Sequence, residues 1–185
     1  MNYGGLLPQK LTNRLLKEEE SALEKLTKTL SYLNSFFSDM ELDFMFIKLF
    51  RNLDYAPRDV DVLLKRGQTS KILSALKKEN ICVKSSGNIE TKCEKEGLLD
   101  IDFYEGFYYL SLNFLDEDFL WKTPKTVTFC GVECTIPNPD ADFLSLIIHS
   151  LLGHRYLSLL DFLYAKSFLI DDWKSEEMIY QTKTH

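Results

Sequence analysis

Two acids one residue apart stand at Asp59 and Asp61, in the run Asp59-Val-Asp-Val-Leu-Leu64. A later run, Leu98-Leu-Asp-Ile-Asp-Phe103, sets Asp100 and Asp102 among apolar neighbours. Alternate residues of a strand face the same side. If both runs are strands, Asp59 and Asp61 point together while Val60 and Val62 point into a core. Carboxylates crowded on one face repel each other unless a cation lies between them. Mg²⁺ takes oxygen ligands in an octahedron and commonly keeps waters and substrate phosphates as the rest of its shell. An acid pair with a third acid on a neighbouring strand therefore suits chemistry on a phosphate chain. The plainer alternative is that such acids mark a solvated strand face, with Asp59 a turn residue after Pro57-Arg58. Each acid alone fits that alternative; the order of the elements around them fits the first reading. Asp100 and Asp102 share a face, so periodicity does not choose between them.

The other residue types with chemical potential read as structural. His149 lies between apolar neighbours in a helical run and His154 follows Gly153, so both are expected to pack or to mark a boundary. Asp161 is expected to be a first-turn helix acid, and Trp121 and Trp173 to anchor helices. Cys82, Cys93, Cys130 and Cys134 are too few and too scattered for a disulfide scaffold. Zinc could use the Cys130–Cys134 spacing, but no histidine completes a known pattern. Reduced, structural thiols are expected.

The elements that must position the acids follow from hydrophobic spacing. Leu16, Leu23, Leu26, Leu30, Leu33 and Phe37 recur at helical steps and predict a helix over residues 13–38. Its apolar stripe is expected to dock on a core, with a partner chain or a second copy as the alternative. Residues 42–50 predict a buried strand, followed by a loop with Asn52, Asp54 and Pro57, then a strand over residues 59–64. Thr69 or Ser70 is expected to cap a helix running to about Lys78. A short strand follows at residues 81–84, then a turn at residues 85–88, a polar run readable as strand or loop, and a strand over residues 98–103. Residues 127–136 predict a hairpin turning at Cys130-Gly131. Asn138-Pro139-Asp140 predicts a helix start, Gly153 its stop, and a last helix spans about residues 158–169. The fold class is α+β: a small mixed sheet with an N-terminal helix and a helical C-terminal part.

Composition bounds the function. The chain has 185 residues, 45% of them hydrophobic and 27% charged, which excludes disorder throughout. Its net charge of −6 disfavours broad binding of duplex DNA. The most apolar stretches carry His149 or Asp161 and Lys166 and fall short of the roughly 20 apolar residues of a membrane helix. The N-terminus lacks the pattern of a secretory signal, so a cytoplasmic setting without membrane attachment is expected.

Asp59-Val60-Asp61-Val62 and Ile101-Asp102-Phe103, placed in this order of elements, resemble the nucleotidyltransferase superfamily with the DNA polymerase β-like fold. The run Thr135-Ile-Pro-Asn-Pro-Asp-Ala-Asp-Phe143 and the segment His149 to Asp161 resemble the helical tail of its small, prokaryotic-type members. The resemblance covers residues 42–166. It implies an N-terminal arm at residues 1–40, a nucleotidyltransferase-like core at 41–107 and a hairpin with helices at 108–185. It implies metal-dependent transfer of a nucleoside monophosphate from an NTP to an acceptor hydroxyl. Asp59, Asp61 and Asp102 would be the catalytic, metal-holding acids, with Mg²⁺ or Mn²⁺ as cofactor. Its pattern also selects Asp102 over Asp100. One departure stands out: Lys48-Leu49 occupies the place of the family's Gly-Ser, with nine residues between Leu49 and Asp59. Leucine offers neither glycine's close approach nor a hydroxyl. Lys48 would substitute as a point charge on phosphate, helped by Arg51 and Arg58. The alternative implied by the departure is a catalytically silent relative that binds or regulates a partner.

Overall fold

Val60, Val62 and Leu64 alternate with Asp59, Asp61 and Leu63 along one strand, and this alternation defines the two faces on which the rest of the chain is stacked. The computed structural model describes residues 9–49, 57–87, 90–109 and 112–172. Residues 1–8, Phe50, Arg51, the loop residues Asn52 and Asp54, Asn88 and Trp173 lie outside the described residues, as does the side chain of His154.

The chain begins with helix α1 (Gln9–Asp39), followed by β1 (Phe44–Ile47), β2 (Asp59–Leu64), α2 (Thr69–Lys78), β3 (Cys82–Ser86), β4 (Glu90–Glu94) and β5 (Asp100–Tyr104). The five strands form one mixed sheet in the order β1-β2-β5-β4-β3. Only β2 and β5 run parallel; the other neighbours are antiparallel. Helix α2 with β3 and β4 makes up the crossover that a parallel pair requires. After the sheet come the small hairpin β6 (Tyr108–Tyr109) and β7 (Leu112–Asn113), the single turn α3 (Glu117–Leu120), and the hairpin β8 (Lys125–Phe129) and β9 (Val132–Ile136). Helix α4 (Pro139–Ile148), a π-helical turn (His149–His154) and α5 (Leu159–Asp172) complete the described chain.

One sheet face carries Val60, Val62, Ile101 and Phe103 and is covered by Leu26, Leu30, Leu33 and Phe37 of α1 with Ile72 and Leu76 of α2. Complete burial of each such side chain contributes about 1.5–3 kcal/mol. The Thr29 hydroxyl fixes the helix on the sheet: it donates to the Lys25 carbonyl and accepts the Leu99 N–H. Among the described residues, Leu15 and Leu16 in the first half of α1 are exposed. The other face carries Met45, Ile47, Leu63 and Tyr104 and is covered by Leu120, Phe143, Leu144 and Phe168 from the C-terminal elements.

Three expectations change in detail. Strand β1 is shorter than residues 42–50, because Lys48 turns out of it with φ 58°. The polar run after the β3 turn is strand β4, its alternation supplied by buried Thr91 and Cys93. Gly153 does not stop the helix; the backbone widens into the π-helical turn and ends at Arg155, which is left-handed at φ 63°. Asn138 caps α4 as expected, its side chain accepting the Ala141 N–H. Asp161 lies in the first turn of α5 and accepts from the Ser158 hydroxyl at 2.7 Å.

Neither Thr69 nor Ser70 caps α2. Glu105, just after β5, does so instead, its carboxylate accepting the Thr69 N–H at 2.6 Å. Burial raises the Glu105 pKa, but hydrogen bonds from Thr69, Gly67 and Gln68 outweigh it and hold the carboxyl below its ordinary 4.5. A depressed folded-state pKa adds stability above the ordinary value and loses it as pH falls through the folded pKa. Glu105→Ala is expected to lower stability by about 1 kcal/mol at pH 7. Urea titrations of both proteins at pH 7 and pH 3 check this; the difference should shrink at pH 3, and an equal difference at both would remove the charge from the account.

Candidate active site

The parallel pairing of β2 with β5 sets Asp59 opposite Asp100 and Asp61 opposite Asp102. The acid face is continuous with the face that carries Leu63 and Tyr104, so the acids sit at the end of the sheet where the C-terminal cover stops. The two acids of β5 separate clearly. Asp102 is buried, whereas Asp100 is exposed and accepts from Lys84 at 3.2 Å.

Side chains connect Asp61 to Asp102 across the face. The Lys48 ammonium lies 2.7 Å from an Asp61 oxygen, in an ion pair with both side chains largely enclosed. Lys48 also donates to the Tyr104 hydroxyl at 3.2 Å and sits 4.4 Å from the centre of that ring. The Tyr104 hydroxyl donates to Glu90 at 2.7 Å. Lys92 then bridges Glu90 and Asp102, at 3.0 Å from each. His149 packs edge-on against Tyr104.

The charges respond to this setting. Burial pushes the Asp102 carboxyl up to about 6, Lys92 acting against the rise and Asp61 and Glu90 adding to it. Desolvation, then the Asp61 carboxylate, raises Asp59, while Lys48 and Lys92 oppose the change. Burial pushes Lys92 down, but its bonds to Asp102 and Glu90 prevail and hold it above its ordinary value.

Of the residues singled out in the sequence, Asp59, Asp61, Asp102 and Lys48 share this face. Arg58 lines an open groove of about 870 Å³ with Asn13, Arg14, Glu18 and Lys25 of α1. Arg51 lies outside the described residues. Sequence reading missed Glu90, Lys92, Tyr104 and Asp142. Tyr104 was within reach, two residues beyond Asp102 on one strand; Glu90 and Lys92 needed the polar run to be recognised as strand.

Asp142 had no local signal. It lies in the first turn of α4, is buried, and accepts the Lys48 N–H at 2.6 Å. Lys48 itself occupies the left-handed region, which costs a non-glycine residue about 1–2 kcal/mol. The backbone at the Lys48-Leu49 departure thus adopts a conformation that suits glycine, with a lysine in it.

The donor set suits a hard divalent cation in its chemistry, since it offers carboxylate oxygens. The arrangement does not suit one: Lys48 is on Asp61 and Lys92 on Asp102. Among the described residues, no three acid, histidine or cysteine side chains form a group able to hold an ion.

No family model and no curated protein matches the chain by sequence. Solved structures do match it. The lincomycin-bound lincosamide antibiotic adenylyltransferase LnuA superposes with a TM-score of 0.56 at 14% identity, over 75% of this chain and 93% of that one. The antibiotic-resistance factor ANT(2'')-Ia, solved in solution, gives a TM-score of 0.59 at 6% identity, over 84% and 89%. An antigenic nucleotidyltransferase-like protein from Paracoccidioides brasiliensis gives 0.52 at 13% identity, over 86% of each chain. The chain has the nucleotidyltransferase fold.

Two outcomes follow from the geometry. Asp59→Asn relieves repulsion and is expected to leave the melting temperature unchanged or raised. Repulsion alone would suggest the same for Asp61→Asn, but the buried Lys48 ammonium would lose its charged partner, at a cost of about 2–3 kcal/mol. Thermal unfolding of the two variants checks the contrast, and equal effects would show that the ion pair adds nothing. Asp142→Ala orphans the buried Lys48 N–H and is expected to cost about 1–3 kcal/mol. Asp142→Asn keeps an acceptor and should recover most of that loss; failure to recover any would assign the cost to the carboxylate charge.

Proposed function

We propose that this protein transfers a nucleoside monophosphate from an NTP to the hydroxyl of a small-molecule acceptor. The observation that carries the reading is the register of Asp61 with Asp102 on adjacent parallel strands, with Asp59 on the same face. The acceptor oxygen forms a bond to the α-phosphorus, the bond from that phosphorus to the bridging oxygen breaks, and pyrophosphate leaves. Asp102 takes the hydroxyl proton: with its pKa pushed up to about 6 it is largely ionised at neutral pH and still a competent base. Mg²⁺ or Mn²⁺, bound with the NTP, would neutralise charge on the phosphates, and Asp59, Asp61 and Asp102 are the residues that would face it. Because the lysines hold those acids in this structure, no step is assigned to the ion. Residues 41–107 are the unit that would carry out the transfer. Arg51 stays a candidate to face phosphate; Arg58 instead lines the groove beside α1.

The acceptor class is suggested by the fold neighbours. LnuA is described with lincomycin bound and ANT(2'')-Ia with adenylyl-2''-tobramycin. A polyhydroxylated acceptor of that kind, with ATP as donor, is the first to try. The four free thiols suit a cytoplasmic setting. Among the described residues no helix is long and apolar enough to cross a membrane.

A second reading, a catalytically silent binding protein, is favoured by the ion pairs that occupy Asp61 and Asp102. Two measurements separate them. A thermal-shift panel of the four NTPs with and without Mg²⁺ or Mn²⁺ should show one that raises the melting temperature. Label in the α-phosphate of that NTP should then appear on a hydroxyl acceptor, and Asp102→Asn should slow its transfer by about 10²–10⁴-fold. Binding without transfer to any acceptor would favour the silent reading, and no binding at all would end the nucleotide proposal.

A further inference from the structure

Six large apolar side chains lie exposed within residues 151–163: Leu151, Tyr156, Leu157, Leu159, Phe162 and Leu163. Leu159 keeps 74% of its surface open, Tyr156 63% and Phe162 54%. On α5, Leu159, Phe162 and Leu163 stand at i, i+3 and i+4, which sets them in one stripe. The turn that carries Leu151 and the linker with Tyr156 and Leu157 are tied to the start of this helix. Asp161 accepts from the Ser150 hydroxyl at 3.3 Å and from the Ser158 hydroxyl at 2.7 Å, and the Tyr156 N–H donates to the Ser150 carbonyl at 3.2 Å. The opposite side of α5 is apolar too: Tyr164 and Phe168 are buried, and the Phe168 ring stacks on Phe143 with centroids 4.2 Å apart. From Phe162 to Ile170 the sequence of the helix holds one charge, Lys166. A helix that is apolar on both sides is one that is covered on both sides.

We propose that this face pairs with the same face of a second copy of the chain, the two α5 helices packed antiparallel about Phe162 and Leu163. Size is the first argument for a second copy. Six such side chains, about half exposed, present on the order of 600 Å² of apolar surface, the upper end for a lone monomer. Two faces of that size together hide about 1,200 Å², where stable specific interfaces begin. The second argument is likeness. The occupant must offer an apolar stripe of its own, and this face does so. Among the described residues, the other exposed large apolar side chains are Leu15 and Leu16 on α1 and Leu112 on β7. Charge is the third. Helix α5 ends in Asp171-Asp172 with no base in its last turn, although a helix C-terminus favours cations. Arg155 is exposed shortly before the start of the same helix. In an antiparallel pair the positive N-terminal end of one α5, with Arg155 ahead of it, lies beside the two acids that end the other. Two-fold symmetry repeats this match at both ends of the contact.

The test is sedimentation equilibrium of the full-length protein across the micromolar range. Wild type should reach twice the monomer mass. Leu159→Lys and Phe162→Lys place a charge at the centre of the contact and should each weaken pairing about tenfold or more. Leu16→Lys, on α1, should leave it unchanged. Arg155→Glu should weaken it as well, and more at low salt than at high. A monomeric wild type would overturn the proposal and give the face to residues 173–185 or to an unlike partner. A dimer that survives both α5 substitutions, or that is lost with Leu16→Lys instead, would overturn it equally. An Arg155→Glu variant that pairs as tightly as wild type would overturn the antiparallel arrangement. If the α5 variants do not fold, amide exchange of wild type decides. Protection that grows with protein concentration should fall within residues 155–166; growth confined to α1, or none, would overturn the proposal.

Discussion

An ammonium buried against Asp61 is the constraint on which the arrangement of this protein depends. Carboxylates at Asp59, Asp61, Glu90 and Asp102 are gathered at one end of a sheet, where burial makes charge costly. Without compensation they would repel each other and loosen the strands that carry them. Lys48 and Lys92 supply that compensation, and Tyr104 joins the two ion pairs through Glu90. The network closes across the junction of β2 with β5, the one parallel junction in the sheet.

The sheet has two faces with different tasks. On the first, α1 and α2 bury an apolar surface. On the second, apolar cover extends only part of the way along the strands, from Leu63 and Tyr104 into the C-terminal helices. Beyond that cover the same strand positions are acids. A two-residue step along β2 or β5 thus separates apolar core from carboxylate on the same face. Asp142 ties the cover to the acid end by holding the backbone of Lys48, so the C-terminal helices bear directly on the shape of the site.

The departure at Lys48-Leu49 has a physical reading in this frame. The turn after β1 requires a left-handed backbone, which glycine meets without cost. Lysine meets it at a cost and returns an enclosed ion pair, a hydrogen bond and a contact with an aromatic face. A lysine at this turn therefore places an enclosed positive charge beside Asp61.

Sequence by itself determined most of the elements and their faces. The spacing of Leu26, Leu30, Leu33 and Phe37 specified the buried side of α1, and Asp-Val-Asp-Val specified which way the β2 acids point, because both periods are local properties of the backbone. The cap at Asn138 was legible for the same reason. Tertiary structure decided three things. It chose Asp102 over Asp100 for the buried place, because register between β2 and β5 and the partners Lys92 and Lys84 are set by packing. It replaced the expected Thr69 or Ser70 cap with Glu105, because any acceptor brought to a helix start can serve and the loop after β5 arrives there. It joined Lys48 to Asp61 and to Asp142, contacts between segments far apart in the chain that no local pattern encodes. Local periodicity dictates which side a residue faces; only the assembled strands and helices dictate what it meets there.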